Sequence, residues 1–518
     1  MVLILLLWVP QAFYQLSTWV YWLQIKEYRF DRFWVFLKSM EGRNSLGIIW
    51  IVAKIIAIFL SSYTFTLSIV IFSFLDFLVL KRLLDKNIRF PEITQRVKKI
   101  FITSFLGITM VFVLDLFWKI NGFLFGEILL VTAPVVGILW TTLLVKKAKE
   151  LEILKSKEKL TKYKPTVIGI TGSFGKTTTK DFVFQILSCK YKCLPTLKNQ
   201  NTHFGILRRI NSDLKKEHKF FIAEVGAYKR GEIEEIAKVL KPKSVFITGI
   251  EPQHLELFGS FDNLKKAKFE LVESLEKGGL TLFNVTGNDI YDLVKWTEKL
   301  KKDIKIIKYS VGKNSLSDVF SKIDKVGLDG ITFTIFAEGA SNKIKTNIIS
   351  KGLIENLTGA ILIARFYGVS WKDIVEACEN LVLPDSTLNV FKTKMGITVI
   401  DDSYNSSPSG FKEALETLKT IEGKRKIVVT TGIIELGKEM YQTHKKIGNS
   451  LKGISDLVIL RNKDFFSPIK DGIGDSDKLM LINDPKKIVS YLSSSLKIGD
   501  VVLIEGKNPL VLKYLKSI

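Results

Sequence analysis

The stretch GITGSFGKTTT, residues 169–179, sets the residue types that hold phosphate at the spacing that holding it requires. A short apolar run, "TVIGI", leads into Gly172, Ser173, Gly175, Lys176, Thr177 and Thr178, and these open the helical pattern "TKDFVFQILS". Strand, glycine turn and helix start aim backbone N–H groups and a helix dipole at phosphate oxygens, with Lys176 as a point charge and Thr177 as a hydroxyl ligand for Mg²⁺. The generic motif has its first glycine five residues before the Gly-Lys pair. Ile170 stands there in this chain, with Gly169 one residue earlier. The expected ligand is an ATP-type nucleotide.

Two apolar runs end in groups that belong beside such a loop. Glu224 closes "FFIAEVG", and His254 follows "SVFITGI". Both therefore fall at the carboxyl edge of a presumed sheet, where open α/β sheets gather their ligands. A carboxylate and an imidazole near Thr177 form a candidate Mg²⁺ site, the imidazole being the less expected ligand because Mg²⁺ prefers oxygen. Lys268 reads, from its residue type alone, as an ordinary surface lysine on a helix.

The elements that position these groups lie in the later part of the chain. At 518 residues it is too long for one ordinary core. The first 150 or so residues are dominated by Leu, Ile, Phe, Val and Trp, whereas the rest mixes charges with alternating apolar positions as soluble α/β domains do. The expected fold is an α-helical membrane domain followed by α/β, with a P-loop ATPase-type central domain and a Rossmann-like C-terminal domain. Expected boundaries are 1–146 for the membrane domain, 147–163 for a charged helical linker, 164–383 for the central domain and 384–518 for the C-terminal domain.

Apolar stretches near 1–23, 45–61, 63–80, 100–118 and 123–145 each approach the ~20 residues that cross hydrocarbon. The first lacks the basic start and small-residue cleavage site of a signal peptide. Lys26, Arg29, Arg32, Lys38 and Arg43 fall in one loop, and Lys81, Arg82, Lys86, Arg89, Arg96, Lys98 and Lys99 in another. With five spans, both loops and the soluble part face the cytoplasm by the positive-inside rule. Lys54, Asp76, Asp115 and Glu127 are ionisable groups within or near these spans, and snorkelling or helix pairing is their plain reading.

The net charge of +24 is spread along the chain rather than set in aromatic-interleaved stripes, which argues against nucleic acid and suits anionic lipid heads and phosphorylated substrates. Cys189, Cys193 and Cys378 lack metal-ligand spacing.

Several further stretches occur in order: "LKNQNTHFGI", "AEVGAYKRGEI", "ITGIEPQHLELFGS", "AKFE", "DDSYNSSPSGFKEAL" and "TGIIELGKEMYQTHKKIG". Together with the phosphate loop they make residues 164–518 resemble the Mur ligases, the ATP-dependent amide-forming enzymes of peptidoglycan precursor synthesis, most of all the branch that adds D-alanyl-D-alanine. The resemblance implies ATP and Mg²⁺ as cofactors, with Glu224, His254 and a carbamylated Lys268 joining Thr177 around the metal. It implies Asn284 near the adenine and Asp402 at the ribose. Asn201, Tyr404, Asn405 and Pro408 would face the substrates, a peptidyl amino-sugar precursor and a dipeptide or amino acid. It also implies that a substrate carboxylate attacks the γ-phosphate to give an acyl phosphate, which an amine then displaces. Glu435 and His444 receive no role beyond domain packing or substrate contact.

The departures are specific. The family's Gly-x-His-Asn is met by Ile354 and Glu355, its Gly-Arg by Ser386 and Thr387, and its late Lys-Gly-Ser-Arg by Glu505-Gly506-Lys507-Asn508. Threonine does not replace a guanidinium. The readings open are a slower enzyme, another residue supplying the charge, or a changed acceptor. Nothing in 1–163 reads as the family's domain for the uridine nucleotide sugar, so the precursor is expected on a lipid carrier or held at the membrane. A poly-γ-glutamate synthase-like ligase and a non-catalytic ATP-binding membrane scaffold are the alternatives.

Overall fold

The computed structural model describes residues 2–518 apart from 27, 39–41, 44–45, 47, 61–64, 85–89, 119–121, 198–199, 253–254, 287–289, 301–302, 328, 386, 404–405, 435 and 475. The chain divides into two compact units, Met1–Leu151 and Glu152–Ile518.

The first unit is helical among its described residues: Val2–Ile25, Phe30–Lys38, Ile48–Leu60, Phe65–Leu84, Gln95–Trp118 and the start of Gly122–Tyr163. Trp8, Trp19, Trp22, Phe33, Phe36 and Phe72 build its core. Two of its helical segments, Gln95–Asp115 and Phe123–Tyr163, are long and apolar enough to cross a membrane. Inside this unit Lys54, 2% exposed, meets Glu127, 1% exposed, with Nζ 2.7 Å from Oε1. The same Glu127 oxygen accepts from Trp8 Nε1 at 2.6 Å, and Lys54 also donates to Gln15 Oε1. The pair is thus a helix-to-helix contact, not a snorkelling lysine.

The second unit carries two sheets. The strands of the first are β1 (Thr166–Thr171), β2 (Cys193–Pro195), β3 (Phe220–Glu224), β4 (Ser244–Ile247), β5 (Gly279–Asn284), β6 (Ile304–Val311), β7 (Val319–Gly327), β8 (Gly330–Ala337) and β9 (Ala340–Thr346). Their order is β2-β3-β1-β4-β5-β6-β7-β8-β9. Pairing is parallel as far as β7 and antiparallel from β7 to β9. β1 lies between β3 and β4, so the chain leaves it at a topological switch point, where the carboxyl ends of three strands open a crevice. β1, β3, β4 and β5 are buried almost throughout, as strands covered on both faces must be, and this is why they read as apolar runs.

The second sheet is formed by β10 (Asn389–Lys392), β11 (Thr398–Asp402), β12 (Lys426–Thr430), β13 (Leu457–Leu460), β14 (Leu479–Leu481) and β15 (Val501–Glu505) in the order β10-β11-β15-β12-β13-β14, all parallel except β10. The helix Gly122–Tyr163 ends before Lys164, whose φ of 48° turns the chain into β1. From Glu152 onward this helix belongs to the second unit, where Ser156 Oγ meets Asn211 Oδ1 at 3.0 Å and Lys159 Nζ donates to Asn211 O at 2.6 Å.

Candidate active site

β1 delivers the chain to the loop 172–175 and helix Lys176–Ser188 continues from it. The glycines are set by space. A Cβ on Gly172 would lie 2.1 Å from Thr248 Oγ1, and one on Gly175, at φ 71°, would lie 2.6 Å from Asn356 Oδ1. Lys176 Nζ is folded over the loop onto the carbonyls of Gly172 (2.9 Å) and Ser173 (3.1 Å). Burial pulls its pKa down, while Glu224 and Glu251 hold it up.

Glu224 is the hub. Being the last residue of β3, it lies across from Ile170 on β1, two residues before the loop. Its Oε2 accepts from Thr177 Oγ1 at 3.0 Å and its Oε1 from Asn201 Nδ2 at 3.1 Å. Lys180 Nζ stands 3.8 Å from the same Oε2. A hydroxyl and a carboxylate within one hydrogen bond beside loop amides form an oxygen donor set that fits Mg²⁺. Among the described residues no group of three or more His, Cys, Asp or Glu side chains is assembled for a metal.

Lys268 is not a surface residue. Helix Phe261–Glu273 turns it inward, leaving it 4% exposed. Burial and the nearby Lys176 bring its pKa down to about 7, against the pull of Glu232, Glu270 and Glu224. Its neighbour Glu270 is occupied as a cap, accepting from the backbone N–H groups of Gly231 (2.7 Å) and Glu234 (3.0 Å) at the start of helix Glu232–Leu240.

Asn284 ends β5 on the same edge. Its Nδ2 donates to Glu355 Oε2 at 2.6 Å and to Thr248 O at 3.3 Å, and its Oδ1 accepts from Thr286 N at 3.1 Å. Glu355, which stands in the place of a family residue, therefore has a definite partner; burial raises its pKa and Glu413 adds to the rise.

In the second sheet Asp402 and Glu505 end the adjacent strands β11 and β15 in register. Burial raises both: Asp402 to about 7, with Asp401 and Glu413 adding to the rise while its hydrogen bond with Glu505 opposes it, and Glu505, which the Asp402 charge raises further. Asp402 Oδ1 accepts from Leu388 N at 3.3 Å, and Ser406 Oγ donates to Glu505. Pro408 opens helix Pro408–Thr420, with Ser407 as its cap. His444 is buried and stacked on Phe465. Its Nε2 accepts from Ile433 N at 3.1 Å and its Nδ1 faces Met440 O at 2.8 Å, an assignment of domain packing.

The fold therefore brings Lys176, Thr177, Glu224, Asn201 and Lys268 together, sets Asn284 farther along the same edge, and puts Asp402 and Pro408 in the second sheet's domain. His254, Tyr404, Asn405, Glu435 and Ser386 lie outside the described residues. Lys180, Glu251, Glu355 and Asn356 were not singled out from the sequence as site residues. Two of them left a signal there: Glu355 as a departure from the family's Gly-x-His-Asn, and Lys180, which follows Lys176 by four residues on one helix and so shares its face.

A nucleotide loop at the switch point of a parallel sheet, joined to a second parallel α/β domain, defines an ATP-binding enzyme of the P-loop kind. Residues 170–364 match the Mur ligase middle domain and residues 388–508 the Mur ligase, glutamate ligase domain. The chain belongs to the Mur ligase family and is an ATP-dependent, ADP-forming ligase. It is similar to the UDP-N-acetylmuramoyl-tripeptide--D-alanyl-D-alanine ligase of Bacillus subtilis, at 26% identity over 67% of this chain and 74% of that one. With the enzyme of the same name from Buchnera aphidicola of Acyrthosiphon pisum it shares 29% identity over 64% of this chain and 71% of that one. The crystal structure of MurF ligase from Thermotoga maritima in complex with ADP matches with a TM-score of 0.62 at 25% identity, covering 71% of this chain and 83% of that one.

Proposed function

We propose that this ligase joins the terminal carboxylate of a muramyl peptide to an amine such as D-alanyl-D-alanine, and that it does so at the cytoplasmic face of a membrane that its first unit enters as a multi-pass anchor. The observation that carries the chemistry is the convergence of Thr177 and Glu224 beside the loop that bears Lys176, with Lys268 buried close enough to feel both charges.

The residues fall into roles. Lys176 and the N–H groups of the loop neutralise charge on the transferring phosphoryl group, which is most of what such catalysis asks of a protein. Thr177 and Glu224, with His254 as the resemblance implies, would hold Mg²⁺, which would supply electrostatic stabilisation of the phosphates. Lys268 is suited to carbamylation, because a lysine near pKa 7 presents its neutral amine at ordinary pH. Asn284 and Asp402 serve the nucleoside, and Asn201, Tyr404, Asn405 and Pro408 the peptide and amine.

Membrane residence is supported by the surface of the first unit. Phe13, Phe59, Phe74, Phe77, Phe105 and Phe117 are each more than half exposed, an apolar exterior that water does not favour and lipid does. The deciding experiment measures ADP release by detergent-purified full-length protein with Mg-ATP and a muramyl tripeptide, with and without D-alanyl-D-alanine. Release that depends on the dipeptide, with a product heavier by one dipeptide less water, is the expected result. Release that depends instead on glutamate, with repeated addition, would replace this reading with the glutamate polymer.

A further inference from the structure

Glu251 joins the two ligase domains through a side chain that no other step of the reaction uses. Its backbone is clamped to the phosphate loop by one hydroxyl: Ser173 Oγ accepts from Glu251 N at 3.1 Å and donates to Glu251 O at 3.0 Å. Ser173 N in turn donates to Gly249 O at 2.8 Å. Glu251 therefore does not shift without the loop, and Lys176 lies on the carbonyl of the same Ser173.

The carboxylate of Glu251 reaches into the other domain. Oε2 accepts from Ser409 N at 3.1 Å and Oε1 from Ser409 Oγ at 3.0 Å. The first N–H groups of a helix have no partner within it. In helix Pro408–Thr420, Pro408 has no N–H, and Gly410 N is satisfied by Ser407 Oγ at 3.1 Å. Ser409 N is left, and Glu251 takes it, with the helix dipole favouring the negative charge. One turn on, Glu413 returns the contact: it accepts from Gly352 N at 2.7 Å at the start of helix Leu353–Phe366, the helix whose Asn356 abuts Gly175. Each domain thus caps a helix of the other.

We propose that Glu251 is a positioning residue that ties the turn at Ser406 and Ser407 and the first turn of helix Pro408–Thr420 to the state of the phosphate loop, so that nucleotide binding orders the side of the site that receives the amine. The proposal rests on the ligase reading above only for what that side receives.

The test is hydrogen exchange on the full-length protein in detergent, with and without Mg-AMP-PNP, for the wild type, Glu251→Ala, Ser409→Ala and Ser409→Thr. In the wild type the nucleotide slows exchange of 406–413 by about tenfold, the scale of a hydrogen bond to a charged group. Glu251→Ala loses that response while 172–178 stays protected by nucleotide; Ser409→Ala weakens it without removing a buried charge, and Ser409→Thr restores it. In turnover, Glu251→Ala raises KM for the amine and leaves KM for ATP in place. A wild-type-like response of 406–413 in Glu251→Ala overturns the proposal, and so does loss of nucleotide protection at 172–178, which would make Glu251 part of nucleotide binding itself. Exchange needs no acceptor, so a failed ligase assay leaves this result readable.

Discussion

The two units bury charge in opposite ways. In the helical unit Lys54 and Glu127 neutralise each other at 2.7 Å, and Trp8 and Gln15 complete the contact from one side. In the ligase unit Lys176, Lys180, Lys268 and Glu224 are crowded onto one sheet edge, where Lys176 and Lys268 repel. A pair of one cation and one anion specifies packing, even with Glu127 Oε2 left without a hydrogen-bond partner; a crowd of three cations around one carboxylate is prepared for an anion that arrives from outside. The difference also runs through the surfaces, since the helical unit turns large apolar side chains outward where the ligase unit keeps its own within two sandwiched sheets.

The largest effect expected is at the crowded edge. Lys176→Ala should lower nucleotide-dependent ADP release by about 10²–10³-fold or more without altering membrane insertion, read by carbonate extraction. Loss of insertion together with activity would mean that the two units do not divide the work as described. Glu127→Ala strands the Lys54 ammonium and should cost about 3–5 kcal/mol, whereas Lys54→Met with Glu127→Leu should be close to neutral. Thermal unfolding in detergent reads this, and equal cost for the single and double variants would dissolve the contrast between the units.

Lys268 supplies a pH-dependent test. With its pKa near 7, the neutral amine prevails above that pH and is lost below it, so the carbamate and the activity should both decline as pH falls through about 7. A ¹³C carbamate resonance from labelled bicarbonate, missing in Lys268→Ala, is the direct observation.

The smallest effect is at Asp402 and Glu505. Their pKa values are raised above the ordinary carboxylate range, Asp402 to about 7. A raised carboxyl lends stability that is full below about pH 4 and is lost as pH rises through about 7. Glu505→Gln should flatten that decline, by about 2–4 °C in Tm at pH 8 and less at pH 5.

The parts legible in the sequence were those held in contiguous residues. The phosphate loop, β1, β3 and β4 were readable because buried parallel strands are unbroken apolar runs and the loop needs its glycines locally. Glu224 was readable because a strand's last residue is fixed by its strand. The burial of Lys268 was not, since nothing in one helix says which neighbour covers it; only the resemblance pointed there. The contacts of Glu251 with Ser409, of Glu355 with Asn284 and of Lys54 with Glu127 join residues separated by 158, 71 and 73 positions, distances over which no local pattern carries information. The hairpins β7 to β9, which extend the first sheet, left no expectation because they hold no chemistry.

The helix Gly122–Tyr163 has a practical meaning for anyone wishing to separate the ligase unit from the helical unit. A cut at Pro165, the boundary that charge composition recommends, would strip Ile153, Leu160 and Tyr163 from the core they cover and leave Asn211 without Ser156, Lys159 and Glu152. A soluble ligase fragment should instead begin before Glu152, retaining the last three turns of that helix as a built-in brace.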